Sequence, residues 1–212
     1  MLKWIFTKRK QTAELKFQRE WVKEFQIYHE RVREYWIRYR HLEEIHSICG
    51  FEESTRVLDV GCGISSVLHF IPGDRYGIDP LAEEYQKLYS YPAALTIQKA
   101  DAESLPFADA FFDVVFCSNV LDHINDPGKT IEEIVRVLRP KGYFILTVEI
   151  FTQKHKRDPA HPHCLLKSEV EQLISGRFEK VSEYESPWIG LHNYVKGNCQ
   201  YWNRELILIV RK

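Results

Sequence analysis

The chain has 212 residues, a formal net charge of -1, 44% hydrophobic and 28% charged residues, which leaves room for one folded unit with an appendage and excludes a second full catalytic domain. Its apolar share separates it from disordered and fibrous chains. The missing basic excess argues against a partner held through many phosphates, so no nucleic acid is expected.

The N-terminal run pairs Leu2, Trp4, Ile5 and Phe6 with Lys3, Lys8, Arg9 and Lys10. Such a composition suits contact with a membrane surface; an ordinary solvated terminus is the other reading. It lacks the apolar stretch and cleavage site of a signal peptide, and no apolar run approaches the ~20 residues of a bilayer span. Cys49, Cys62, Cys117, Cys164 and Cys199 are widely spaced and form no Cys-x-x-Cys pair, which favours a cytoplasmic setting over zinc or disulfide chemistry. From Leu15 onward Trp21, Phe25, Tyr28, Val32, Tyr35, Tyr39, Leu42, Ile45 and Cys49 recur every three or four positions. That stripe predicts one long helix or two shorter ones over residues 12–49. Residues 1–50 therefore read as a helical extension or cap on a domain of residues 51–212. The same stripe could instead pair two copies, so the expectation is a monomer or a homodimer.

After Gly50 short apolar runs alternate with helical patterns, the texture of a parallel sheet with crossover helices. The predicted strands are Val57–Val60, Arg75–Ile78, Leu95–Lys99, Val114–Ser118 and Tyr143–Val148. Before the fifth, Thr130, Ile131, Ile134, Val135, Val137 and Leu138 mark an amphipathic helix ended by Pro140-Lys141-Gly142. Ser168 reads as the cap of a helix carrying Val170, Leu173 and Ile174, with Phe178–Tyr184 and Leu206–Val210 as an antiparallel pair at the sheet edge. Ser186 to Arg204, with Trp188, His192, Tyr194, Tyr201 and Trp202, is long for a hairpin connection and reads as a loop over a site. The predicted fold is a Rossmann-like, doubly wound α/β sheet of seven mostly parallel strands, the last antiparallel.

The first strand ends in Asp59 and runs into Gly61-Cys62-Gly63, placing backbone without side chains where α/β sheets bind ligands. A dinucleotide fingerprint needs a third glycine at position 66, where Ser66 stands. The second strand ends at Asp79, suited to ribose hydroxyls, and the third at Asp101, suited to an adenine amino group. Asp59 would repel a diphosphate, so a cationic sulfonium is the better ligand. Asp113, at the start of the fourth strand, reads as structural. Phe111, Phe112 and Phe116 read as core, and Cys62 as a small filler.

These blocks, together with Ala100–Phe107, Phe112-Asp113-Val114-Val115 and Arg136–Gly142, resemble the class I S-adenosylmethionine-dependent methyltransferases, in particular the group called type 11. The resemblance covers about Arg56 to Val148. It implies S-adenosylmethionine as cofactor, held by Asp59, Gly61, Cys62, Gly63, Asp79, Pro80, Asp101, Ala102, Ser118 and Asn119. It also implies a catalytic role for His123, which follows the fourth strand.

Methyl transfer from a sulfonium is a direct displacement, and an alcohol or ammonium acceptor must also lose a proton. His123 is the candidate base, with Glu149 at the end of the fifth strand expected to orient it; the other reading is that His123 only caps or packs the turn that follows. His155, His161, His163 and Cys164 lack a third ligand at reliable spacing, so no metal is expected. Lys154, Lys156 and Arg157 suit either an anionic acceptor or a solvated charge run. The favoured reading is methyl transfer to a small-molecule or glycan acceptor, at oxygen. A protein or nucleic-acid methyltransferase and a nucleotide-binding dehydrogenase are the competing readings.

Overall fold

The computed structural model describes residues 2–157, 161–197 and 203–212. Met1, Cys199, Tyr201 and Trp202 lie outside the described residues, as do the side chains of the first ten. The elements in chain order are α1 (Leu2–Ile27), α2 (His29–Tyr39), α3 (Leu42–Cys49), β1 (Arg56–Val60), a 3-10 turn (Val67–His69), β2 (Asp74–Ile78), α4 (Ala82–Leu88), β3 (Leu95–Gln98), β4 (Phe112–Ser118), α5 (Pro127–Val137), β5 (Leu138–Ile150), α6 (Lys167–Ile174), β6 (Glu179–Pro187), α7 (Leu191–Val195) and β7 (Arg204–Arg211).

One seven-stranded sheet runs β3-β2-β1-β4-β5-β7-β6. β7 lies antiparallel to β5 and β6, and the pairs among β1 to β5 are parallel. The strand order reverses between β1 and β4, and the crevice past their carboxyl ends is where such a sheet receives a ligand.

The N-terminal stripe folds as three helices. α1 begins ahead of the predicted start, and the breaks fall at Tyr28 and at His41, whose φ of 54° is left-handed. Trp21, Phe25, Val32, Tyr35, Leu42 and Ile45 are buried and join Val57, Phe116, Ile145 and Ile209 of the sheet in one core. Most of the stripe is thus covered within the chain, while Tyr28 stays exposed. The other sheet face packs its apolar residues with Ile131, Ile134 and Val137 of α5 and Val170 and Ile174 of α6, making three layers. A buried network also fastens α2: Arg40 pairs with Glu205 of β7 and donates to the Tyr35 hydroxyl (2.7 Å), which donates to the Ile189 carbonyl (2.7 Å).

Several local expectations change. Leu166, not Ser168, is the residue before α6; the Glu169 carboxylate accepts its N–H (2.9 Å), so Ser168 falls inside the first turn. Pro140-Lys141-Gly142 is a bend within β5, because Leu138 already pairs with Phe112 and Lys141 takes a left-handed φ of 67°. The 186–204 stretch contains α7, whose Tyr194 packs on Tyr35 and Tyr39 at 5.5 and 5.2 Å. Among the described residues no helix is long and apolar enough to cross a membrane.

Candidate active site

Past β1 the chain folds back over the end of β2. The N–H groups of Gly61 and Cys62 both donate to the Ile78 carbonyl, at 2.8 and 3.0 Å. Gly61 has φ 74°, and a Cβ there would stand 2.4 Å from Val120, so only glycine fits. The Tyr91 hydroxyl donates to the Gly63 carbonyl (2.7 Å). Cys62 packs on Gly77, where a Cβ would be 2.9 Å from its sulfur. Burial pushes the Cys62 thiol well up, so it is inert packing, as its apolar setting requires.

Asp59 is 3% exposed and accepts from the Ser66 hydroxyl at 2.6 Å. Burial drives its pKa up to about 7, with the Asp79 charge adding and the Ser66 hydrogen bond opposing. Ser66 therefore does what a third glycine could not: it binds Asp59 and caps the 3-10 turn by accepting the Leu68 N–H (3.1 Å). Asp79 is held from both sides, by the Gly63 N–H (3.2 Å) and the Leu81 N–H (2.9 Å) across Pro80. Asp101 is exposed and Ala102 buried in the turn after β3. At the end of β4, Asn119 takes φ 59°, and its N–H donates to the Thr147 carbonyl (2.9 Å). The Ser118 Oγ and Asn119 Oδ1 are buried with no hydrogen-bond partner among the described residues. Unpartnered buried acceptors are costly and mark a place for a donor-rich ligand.

His123 lies beyond Asn119 at the same sheet edge and is partly exposed. Its Nε2 stands 3.8 Å from Asp122 Oδ1, and its ring lies 4.2 Å from that of His161. Glu149, expected to orient His123, does not pair with it. Its carboxylate accepts from Arg157 (2.7 Å) and Asn203 (2.6 Å). Asp122, 3% exposed, is the acid beside the imidazole, and Arg157 binds its other oxygen at 2.6 Å. Arg157, read from sequence as an anion binder or a solvated cation, thus bridges two buried carboxylates. The fold also brings His161 to Asp122 and His123, with ligand atoms within 4.8 Å of one another. His163 is turned away, its Nε2 2.9 Å from the Ile124 carbonyl.

Asp113 is structural as expected: it accepts the Arg56 N–H (2.7 Å) and pairs with Arg139, at the amino end of β4 and away from the crevice. Sequence reasoning gave no role to Asp122 or Asn203 and offered Arg157 only as an anion binder or a solvated cation, not as a bridge between carboxylates. Asp122 carried a signal in its place next to His123; the others come from distant segments.

A family profile described as a methyltransferase domain matches residues 58–146. The uncharacterized methyltransferase YcgJ of Bacillus subtilis is 34% identical over 176 residues, covering 73% of this chain and 69% of that protein. The sterol 24-C-methyltransferase of Aspergillus fumigatus is 29% identical over 68% of this chain, which spans only 41% of the fungal protein. The crystal structure of Bacillus YcgJ superposes with a TM-score of 0.62 at 18% identity, over 82% of this chain and 98% of that one.

Proposed function

The chain belongs to the class I S-adenosylmethionine-dependent methyltransferases, and from that premise we propose that it methylates a small-molecule or glycan acceptor at oxygen, with His123 removing the acceptor's proton. S-adenosylmethionine is the methyl donor and supplies an activated methyl group on a sulfonium. The observation that carries the proposal is His123 beside the buried Asp122 carboxylate, just past the unpartnered Ser118 and Asn119 acceptors. A carboxylate next to an imidazole stabilises the imidazolium that proton removal creates. Asp122 takes the part expected of Glu149, and Glu149 positions Arg157, which positions Asp122.

The residues around the glycine loop fit the cofactor. Asp79 is preset by two backbone N–H groups and keeps acceptor capacity for ribose hydroxyls. Asp101 and Ala102 form the adenine end, Pro80 shapes the turn after Asp79, and Ser118 and Asn119 face the methionyl end. Asp59 supports the loop from beneath through Ser66. Residues 51–212 hold these groups, and residues 1–50 cap them. The name of the sterol relative, a small-molecule enzyme acting at carbon, supports a small acceptor; the choice of oxygen rests on His123.

Transfer of a radiolabelled methyl group to a panel of alcohol, sugar, amine and carbon acceptors tests the reading. With the acceptor so found, His123→Ala lowers turnover at least about 100-fold and leaves affinity for S-adenosylhomocysteine unchanged, whereas Asp79→Ala weakens that affinity first. Unchanged turnover in His123→Ala removes the base.

A further inference from the structure

The first helix reaches the glycine loop. Gln18 of α1 is 7% exposed, and its Nε2 lies 3.3 Å from where a Cβ on Gly63 would stand. That nitrogen donates to Glu14 Oε1 at 2.9 Å. The bond fixes which end of the amide is which, since the flipped amide would set two acceptors against each other. Gln18 Oε1 is left buried with no hydrogen-bond partner among the described residues. Across the same loop, Val120 crowds Gly61, and the preceding Asn119 holds its own orphaned Oδ1. The field here is negative: Glu14 and Asp79 both act on the Tyr85 hydroxyl, which burial raises far above its ordinary range and which also lacks a partner.

A helix that merely sealed the core would present an apolar side chain at this place. A buried amide packed on a glycine loop, its carbonyl oxygen unpartnered among the described residues and a carboxylate one turn away, suits a group that brings several N–H donors and a positive charge. We propose that α1 is a wall of the cofactor site and that Gln18 Oε1 accepts from the α-ammonium of the methionyl part, with Glu14 supplying negative charge beside it. The proposal rests on the cofactor placement above and is independent of the acceptor and of His123.

The test compares two ligands that share the adenosine but differ in the amino acid: S-adenosylhomocysteine carries the α-ammonium, and 5′-methylthioadenosine does not. Calorimetric titration of the full chain and of Gln18→Met, which keeps the length and removes the carbonyl, reads the contact directly. Gln18→Met weakens S-adenosylhomocysteine about tenfold, the scale of one hydrogen bond to a charged group, and leaves 5′-methylthioadenosine within about twofold. Equal weakening of both ligands, or of neither, overturns the proposal. A wild-type chain that binds neither ligand overturns the cofactor placement itself. Thermal melting of each variant guards against loss of fold.

Discussion

The two sides of the crevice are built in opposite ways. On the proposed cofactor side, Asp59, Gly61, Cys62, Gly63, Ser66 and Asp79 come from one strand-loop-strand unit, and backbone N–H groups hold the Asp79 carboxylate in place. On the proposed acceptor side, Asp122, Glu149, Arg157, His161 and Asn203 arrive from four separate segments and are held by side chains against side chains, through hydrogen bonds and, for His161, a ring contact with His123. A site framed by backbone tolerates side-chain change poorly only where a glycine or the acid itself is touched. A site framed by a charge network depends on its central member.

Arg157 is that member, and removing it is the strongest way to break the comparison. It joins Asp122 and Glu149, whose side chains are 4% and 9% exposed. Arg157→Met would leave two buried carboxylates without their cation, a loss on the order of 3–5 kcal/mol. The melting temperature should fall by about 10 °C, and turnover should fall with it because Asp122 no longer holds its place beside His123. Affinity for S-adenosylhomocysteine, framed by the other side, should change little. A variant that melts like the wild type would show that the acceptor side does not depend on this bridge.

The cofactor side has a smaller, pH-dependent signature. The folded pKa of Asp59, about 7, lies above its ordinary 3.8 because burial disfavours the charge. The folded chain therefore holds a proton that the unfolded chain releases, so this contribution to stability is full below about pH 4 and is lost as pH rises through about 7. Asp59→Asn, neutral throughout, lacks the loss. In melting curves across pH 4 to 9, wild-type stability should decline relative to Asp59→Asn up to about pH 7 and run level above it. A constant difference would mean that Asp59 is ionised throughout, held by its neighbours and not by the backbone-framed loop.

The same contrast explains what could be read in the sequence. Val57–Ser65 and Asp79 were legible because strand, glycine turn and acid sit at fixed spacing within one βαβ-like unit, and the parallel sheet followed from the alternating pattern. The partner of His123 was not. Glu149 ends the neighbouring strand and so looked adjacent, but its carboxylate turns to Arg157 and Asn203, a choice made by side-chain packing that no spacing encodes. Gln18 was hidden for a related reason: on a helix surface rich in Glu, Lys and Arg, a glutamine looks solvated until the helix is docked. The helical stripe itself was clear, and its breaks were not, because Tyr28 and His41 carry no glycine or proline to announce them.

The mildest test asks whether Asp122, His123 and His161 act as a base and its neighbours or as a metal triad. Tetrahedral zinc with bonds of about 2.0–2.1 Å would need its ligand atoms drawn nearer than the 3.8 Å between Asp122 Oδ1 and His123 Nε2. The other Asp122 oxygen is already bound to Arg157, whose positive charge would oppose a cation at the same carboxylate. Turnover should therefore stay within about twofold of its starting value after treatment with a chelator, because a base requires no metal. A tenfold loss restored by one added divalent ion would reassign the three side chains as ligands and would give the acceptor side a central member other than Arg157.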